Sequence, residues 1–283
     1  MSIAGRSGFT ITDSDFELFS KFLEDNSGIL LAKHKQYLVQ SRLGKIVQEQ
    51  NCPSLKELIT KLQSPASKRL REQVIDAMTT NETLWFRDVH PFDILRDKIL
   101  PEMLGNSPGS NKIRIWSAAC STGQEPYSIS MTLDEFKKKN PGKLMSEEIM
   151  ATDISTQVLE QARRGEYEML AIGRGLSQDR LTQHFREMPN GSWAVKPDIK
   201  SRVRFQSINL QGQYSSMGKF DVIFCRNVLI YFSSEKKTEI LTKMHGVLKP
   251  GGFLILGASE FLSGLSDKYK MIHCRPGIIY QAI

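Results

Sequence analysis

Residues 112–130, KIRIWSAACSTGQEPYSIS, restrict what this chain can fold into more than any other stretch. Ile113, Ile115 and Trp116 form a β-branched and aromatic run that gives way to the small residues Ser117, Ala118 and Ala119, the pattern of a buried strand entering a tight turn. Ser121, Thr122 and Gly123 let backbone approach a ligand closely. Pro126, just past Glu125, suits the first turn of a helix, where its missing N–H would be unpaired in any case. Strand, small-residue turn and helix start together make a nucleotide-type site. The same arrangement also occurs where it only packs, and the full G-x-G-x-x-G pattern is absent here. The next strand-end acid favours the functional reading: in EEIMATDIS, Ile149 and Met150 lead into Asp153 and a new helix start. A carboxylate at the end of the second strand of such a fold accepts hydrogen bonds from ribose hydroxyls. The separation exceeds the usual figure of about 20 residues, and the polar KKKNPGK insertion accounts for the excess.

Downstream, STQVLEQARRG reads as a helix, VRFQSINL and KFDVIFC as strands, SEKKTEILTKMHGVL as a helix, GGFLILGAS as a strand, and KYKMIHCRPGIIYQAI as a closing hairpin. Strands alternating with helices imply a doubly wound, mostly parallel sheet with a late antiparallel pair, whose ligands bind at the carboxyl ends of the strands. About forty residues separate the helix after Asp153 from the next strand. Within them FREMPNGSWAVK offers two extended pieces about the turn dipeptide Asn190–Gly191. We take roughly 165–202 as an inserted subdomain, either decoration or a docking surface.

Residues 1–80 read as a small all-helical unit. Phe16, Phe19 and Leu23 recur at helical spacing over 12–25, with Asp13 and Ser14 available to cap and Asn26, Ser27 and Gly28 to stop the helix. Val39, Leu43, Ile46 and Val47 mark a second helix over 35–49. Ser54 and Glu57 form a capping-box pattern for a third, and Leu70, Val74, Ile75 and Met78 mark a fourth. No acidic residue occurs from Asn26 to Gln48, whereas Lys33, Lys35, Arg42 and Lys45 all do. This is either a solvated rim whose aliphatic stems cover the apolar stripe or a face for an acidic partner. Residues 81–110 link the units. NETLWFRDV carries Trp85 and Phe86 beside Asn81, Thr83 and Arg87, too aromatic for a loose linker, and is expected to fold back over a site. One helix is expected over 89–104, then the loop NSPGSN, and the main domain over 111–283.

A chain of 283 residues can bury a substantial core, and its net charge of +7, from 38 Lys plus Arg against 31 Asp plus Glu, suits an acidic partner. Cys52, Cys120, Cys225 and Cys274 form no C-x-x-C pair, which argues against a zinc site or a disulfide framework and for a reducing compartment. The N-terminus has no apolar signal core and no later run is long enough to cross a bilayer, so a cytoplasmic location without membrane insertion is expected, and no metal.

N-x-T-x-[FW]-F-R at 81–87, S-T-G-x-E-P-Y-S at 121–128, the strand-end Asp153 and C-R-N-V-x-I-Y-F at 225–232, in this order, closely resemble the chemotaxis receptor methyltransferases, the CheR family. The resemblance covers nearly the whole chain. It implies a class I S-adenosylmethionine fold, methyl transfer onto glutamate side chains of chemoreceptors, and S-adenosylhomocysteine as product. It also implies that Asn81, Thr83, Arg87, Glu125, Asp153, Asn209, Leu210, Asn227 and Val228 line the cofactor, with Arg87 and Tyr231 positioning the substrate. Lys35, Arg42 and Lys45 would face the acidic methylation helices of the receptor. Trp85 stands where Phe is usual, which keeps an aromatic wall. Methyltransferases that act on exocyclic amines of bases commonly carry Pro-Pro-aromatic where this chain has Val228 and Leu229, so nucleic acid is not the expected substrate. Some relatives carry a Gly-x-Gly triplet in the inserted hairpin, associated with a receptor's C-terminal pentapeptide tether. EMPNGSW has none, and recognition independent of the tether is expected. A nucleic-acid-binding methyltransferase and a cofactor-binding regulator without catalysis are the alternatives.

Overall fold

A computed structural model of the chain describes residues 9, 11–105 and 112–283. Residues 1–8 and the expected NSPGSN loop, 106–111, lie outside them. The chain forms two compact units, Met1–Thr80 with Tyr231–Ser233, and Asn81–Ile230 with Ser234–Ile283.

In the smaller unit, α1 spans Asp13–Ser27, α2 Gln36–Glu49, α3 Leu55–Gln63 and α4 Lys68–Met78, with a 3-10 turn at Lys33–Lys35. The helices α1 and α3 start on side-chain caps, and α1 stops on a glycine. The Thr12 hydroxyl accepts the Asp15 N–H at 3.1 Å, Gly28 closes α1 in the left-handed region at φ 77, and the Ser54 hydroxyl accepts the Glu57 N–H at 3.3 Å. The apolar stripes Phe16–Phe19–Leu23, Val39–Leu43–Val47 and Leu55–Leu58–Leu62 meet in one core with Val74 and Met78. Each such side chain contributes about 1.5–3 kcal/mol on burial.

The larger unit opens with the segment 81–89. The Trp85 ring is fully buried, its Nε1–H donating to the Ala171 carbonyl at 3.1 Å and its edge meeting Tyr167 and Phe185 at 4.9 and 5.2 Å. Phe86 is buried against Phe92. The segment does fold back, but these rings are anchors inside the core rather than walls of an open site, because a buried aromatic gains most where it is wholly enclosed. Then follow α5, His90–Ile94, a π-helical turn over Leu95–Ile99, and α6, Leu100–Gly105. The single α-helix expected over 89–104 is interrupted, and Pro101 supplies the reason. It has no N–H and its ring crowds the carbonyl four residues back, and the wider turn, in which the Leu100 N–H reaches the Leu95 carbonyl, relieves that crowding.

The main sheet comprises β1 Lys112–Ala118, β2 Ser146–Asp153, β6 Val203–Ser207, β7 Phe220–Cys225, β8 Leu248–Leu256, β9 Tyr269–His273 and β10 Ile278–Ala282, in the order β6-β2-β1-β7-β8-β10-β9. The first five are parallel and the β9–β10 hairpin is antiparallel at one edge. All of β7 is buried, the pattern of a central parallel strand covered on both faces. The helices α7 Gln124–Lys139, α8 Thr156–Arg164 and α12 Ser234–Val247 connect the parallel strands. This is the class I methyltransferase topology, and its strand order reverses between β1 and β7.

Between α8 and β6 lies a small antiparallel sheet of order β3-β5-β4, with β3 at Glu166–Tyr167, β4 at Phe185–Glu187 and β5 at Trp193–Val195. Three short helices accompany it, α9 Met169–Ile172, α10 Gln178–His184 and α11 Pro197–Lys200. The expected hairpin is β4–β5, turning through Gly191 at φ 80. Strand β3, only two residues long, has no period a sequence could display.

Candidate active site

Strand register brings the site together. Ala118 is level with Thr152 on one side and Cys225 on the other, and Cys225 is level with Leu256. The loops leaving β1, β2, β7 and β8 therefore start in one row, at the order reversal where sheets of this kind bind ligands. Backbone strain concentrates in the same place. Of the non-glycine residues with positive φ among those described, all but Asn51 lie at this end of the unit: Phe86, Asp88 and Val89, Ala119 and Ser121, and Asn227. Such conformations cost about 1–3 kcal/mol each and persist only where the surroundings hold them.

Asp153 holds the β1 loop. Its Oδ2 accepts the Ser121 N–H at 2.8 Å and its Oδ1 the Ser155 N–H at 3.0 Å. The Ser121 hydroxyl in turn donates to the Asn81 carbonyl at 2.8 Å, tying the 81–89 segment to the same loop. The Ser128 hydroxyl, on α7, accepts the Phe86 N–H at 3.1 Å. Gly123 must be glycine: it sits at φ 95, and a Cβ there would lie 2.9 Å from the Ala162 Cβ.

A buried cation joins these loops. Arg226, immediately after β7, has a side chain only 1% exposed; its Nη1 meets Glu125 Oε2 at 3.0 Å and its Nη2 meets Asp88 Oδ2 at 2.7 Å. The same Nη2 donates to the Arg87 carbonyl at 2.8 Å, and the Ser117 hydroxyl donates to Glu125 Oε1 at 2.7 Å. Sequence reasoning passed over Arg226 and Asp88. The available signal was a charged residue directly following a wholly apolar strand, since a buried charge requires partners. Glu260 was missed as well. It is buried and accepts the backbone N–H groups of Asn227, Leu229 and Gly257.

The remaining expected residues fall as follows. The Arg87 side chain is half-buried, its Nη1 donating to the Glu82 carbonyl at 3.3 Å. Thr83 and Val228 are half-buried, and Asn227 sits in the left-handed region at φ 57. Asn209, past the end of β6, turns its Oδ1 onto the Gln211 N–H at 2.9 Å, and the buried Leu210 offers its carbonyl to the Tyr214 hydroxyl. Tyr231 ends a 3-10 turn and groups with the helical unit, where its carbonyl accepts the Leu30 N–H at 2.8 Å. In that unit Arg42 is not a free surface cation. Its Nη1 caps the carboxyl end of α4 by donating to the Met78 and Thr79 carbonyls at 2.9 and 3.0 Å. Lys45 pairs with Glu49 at 3.6 Å and Lys33 with Glu17 at 2.9 Å, acids that stand outside the window without acidic residues. Lys35 is half-buried at the start of α2.

Residues 14–79 match the family profile described as CheR methyltransferase, all-alpha domain, and residues 81–278 that described as CheR methyltransferase, SAM binding domain. The chain belongs to the CheR methyltransferase family. It is 58% identical over 269 residues to the chemotaxis protein methyltransferase Cher2 of Pseudomonas putida, covering 95% of this chain and 98% of that protein. It is 56% identical to chemotaxis protein methyltransferase 1 of Pseudomonas aeruginosa, at 95% and 98% coverage. It is 51% identical to the chemotaxis protein methyltransferase of Vibrio parahaemolyticus, at 96% and 98%. As a CheR-family member it is an S-adenosylmethionine-dependent methyltransferase.

The residues at the strand ends fit that cofactor. S-adenosylmethionine presents a sulfonium and an ammonium cation and a ribose diol, and the row carries three acids against the buried Arg226: Asp153, which holds the Ser121 and Ser155 N–H groups, and Glu125 and Asp88, which share the arginine. The local field is negative. Burial pushes up the Cys120 thiol, and Asp153 and Glu125 push it further. Burial likewise raises the Cys225 thiol, with Glu260 and Glu125 adding to the rise. Burial, the larger cause, opposes a charge of either sign, and only the share of the rise that comes from the acids favours a bound cation. Among the described residues no group of three or more His, Cys, Asp or Glu could hold a metal ion, and no helix is long and apolar enough to cross a membrane.

Proposed function

We propose that this chain transfers the methyl group of S-adenosylmethionine to glutamate side chains of chemotaxis receptors, with the donor held in the strand-end row by Glu125, Asp153 and Asn227. The observation that carries the reading is that the loops bearing these three residues leave the sheet in one row at the order reversal, where the buried Arg226 is already paired with Glu125 and Asp88. Asn81, Thr83, Arg87, Asn209, Leu210 and Val228 complete the donor contacts in this reading. When bound, S-adenosylmethionine supplies an electrophilic methyl on a sulfonium centre.

The acceptor needs little activation. A glutamate carboxylate has a reference pKa of about 4.3, so at neutral pH it is an anionic nucleophile without a general base. Orientation is the enzyme's contribution, a task for a fixed donor that keeps one carboxylate oxygen in line with the methyl, and the Arg87 guanidinium and the Tyr231 hydroxyl are each a candidate for it. The site must also withhold better nucleophiles. Cys120 and Cys225 are buried at the strand ends with raised thiol pKa values, so both stay protonated and unreactive.

The half-buried Lys35 and the exposed Lys45 of the helical unit meet the acidic methylation helices of the receptor in this reading, and Arg42 shapes that face by fixing α4. The absence of a Gly-x-Gly triplet in 187–193 supports recognition without the pentapeptide tether. The receptor's cytoplasmic domain places the enzyme in the cytoplasm, with protein rather than nucleic acid as acceptor.

The test supplies tritiated S-adenosylmethionine to the purified chain with receptor-bearing membranes. Label released by mild base as volatile methanol is the expected result, because a carboxyl methyl ester hydrolyses there. Base-stable label, or label carried by RNA, contradicts it. Titrating the receptor's C-terminal pentapeptide calorimetrically should give no heat, and micromolar binding would end the tether-independent reading.

A further inference from the structure

One buried carboxylate has no part in the chemistry above. Both oxygens of Glu260 are occupied by backbone donors: Oε2 accepts the N–H groups of Asn227 at 2.7 Å and Gly257 at 2.8 Å, and Oε1 that of Leu229 at 2.8 Å. The three donors come from the loops leaving β7 and β8. The Glu260 N–H donates back to the Gly257 carbonyl at 2.9 Å, which makes the β8 loop a closed turn around its own acid. The two loops approach more closely than a side chain would allow. A Cβ at position 257 would lie 2.7 Å from Glu260 Oε2, 2.8 Å from the Asn227 nitrogen and 3.0 Å from Asn227 Nδ2. Asn227 itself is a non-glycine residue at φ 57, a conformation that must be held from outside.

We propose that Glu260 is a positioning residue for methyl-donor binding, clamping the Asn227 turn so that the asparagine keeps its place in the strand-end row. The inference rests on Asn227 being a donor contact. A carboxylate suits the task in a way an amide does not, since ionised it only accepts, and three N–H groups face it. Glutamine has the same shape but turns an NH2 toward one or two of those N–H groups. Donor then faces donor, and the Asn227 turn must shift to relieve it.

Four variants of the full chain test this: N227A, E260Q, the double variant, and G257A, which crowds the same clamp without removing its charge. Affinity for S-adenosylmethionine is read by calorimetry, and turnover on receptor-bearing membranes as KM and kcat separately. N227A should weaken binding. E260Q should weaken it about tenfold, the scale of one charge-assisted hydrogen bond, through KM for the donor more than through kcat. The double variant should bind no worse than N227A alone, because residues acting as one unit are not additive. G257A should move affinity in the same direction. Wild-type affinity in E260Q alongside weakened N227A overturns the proposal, as do fully additive losses, and if E260Q does not fold, wild-type affinity in G257A overturns it. Wild-type affinity in N227A refutes the reading of Asn227 instead, and the role of Glu260 falls with it.

Discussion

In the helical unit Lys33 and Lys45 meet Glu17 and Glu49 across 2.9 and 3.6 Å, with all four side chains more than half exposed. At the strand ends Arg226 meets Asp88 and Glu125 across 2.7 and 3.0 Å with its own side chain 1% exposed. The distances are alike and the energetics are not. Exposed pairs contribute about 0–1 kcal/mol because water and salt screen them and two long side chains lose freedom. The set around Arg226 gains little net stability over an apolar replacement, yet losing the arginine strands Glu125 in low dielectric, while the more exposed Asp88 keeps access to water. Exposed charge is available for partners, whereas buried charge fixes geometry.

The largest effect should come from Arg226→Met, which leaves Glu125 and Asp88 without their cation and should cost about 3–5 kcal/mol in urea denaturation. Adding Glu125→Gln and Asp88→Asn to it should recover part of the loss. A shift no larger than that of Lys45→Ala would erase the contrast between the two regions. Arg42→Ala stands between the extremes, as it uncaps α4 at a half-buried site, and about 1–2 kcal/mol is expected.

A smaller, pH-dependent effect should come from His184. Burial lowers its pKa from 6.5, with Lys138 reinforcing the shift and Asp134 opposing it, and its Nε2 has no hydrogen-bond partner among the described residues. With the folded pKa below the unfolded one, the unfolded chain binds a proton that the folded chain refuses. Stability is complete above pH 6.5 and is lost as pH falls toward the folded value. His184→Gln should flatten denaturation midpoints across that window; an unchanged slope would place the acid sensitivity elsewhere. The least effect on stability should come from Lys35→Glu with Lys45→Glu, a change within about 0.5 kcal/mol. The same pair should raise KM for receptor, less so at high salt, with donor affinity intact. An unchanged KM would remove the basic face from substrate docking.

The legible parts of this protein are those whose signal is contiguous. The run from Ile113 through the small-residue turn to Pro126 displays strand, loop and helix within twenty residues, and Asp153 stands at the end of its own apolar strand. The parallel sheet, the closing hairpin and the Asn190–Gly191 turn follow from equally local patterns. What stayed hidden depends on partners remote in sequence. Arg226 reaches Glu125 over 101 positions and Asp88 over 138, and Glu260 reaches Asn227 over 33, none of which leaves a period. Arg42 looked like part of a basic rim because its acceptors are backbone carbonyls 36 and 37 positions away, and carbonyls are invisible to a count of charges. Trp85 and Phe86 looked like cover for a site because a linker usually has no core of its own, and here the inserted sheet encloses Trp85 while Phe92 packs against Phe86. The π-helical turn before Pro101 follows from a single missing N–H, below the resolution of a hydrophobic pattern.

Calorimetric titration of S-adenosylmethionine into the wild type and Asp153→Asn tests the strand-end row as the donor site. Asp153→Asn should bind at least about tenfold more weakly, because an ionised acceptor that also fixes the β1 loop is lost. Equal affinity in the two proteins would contradict the assignment and place the methyl donor elsewhere.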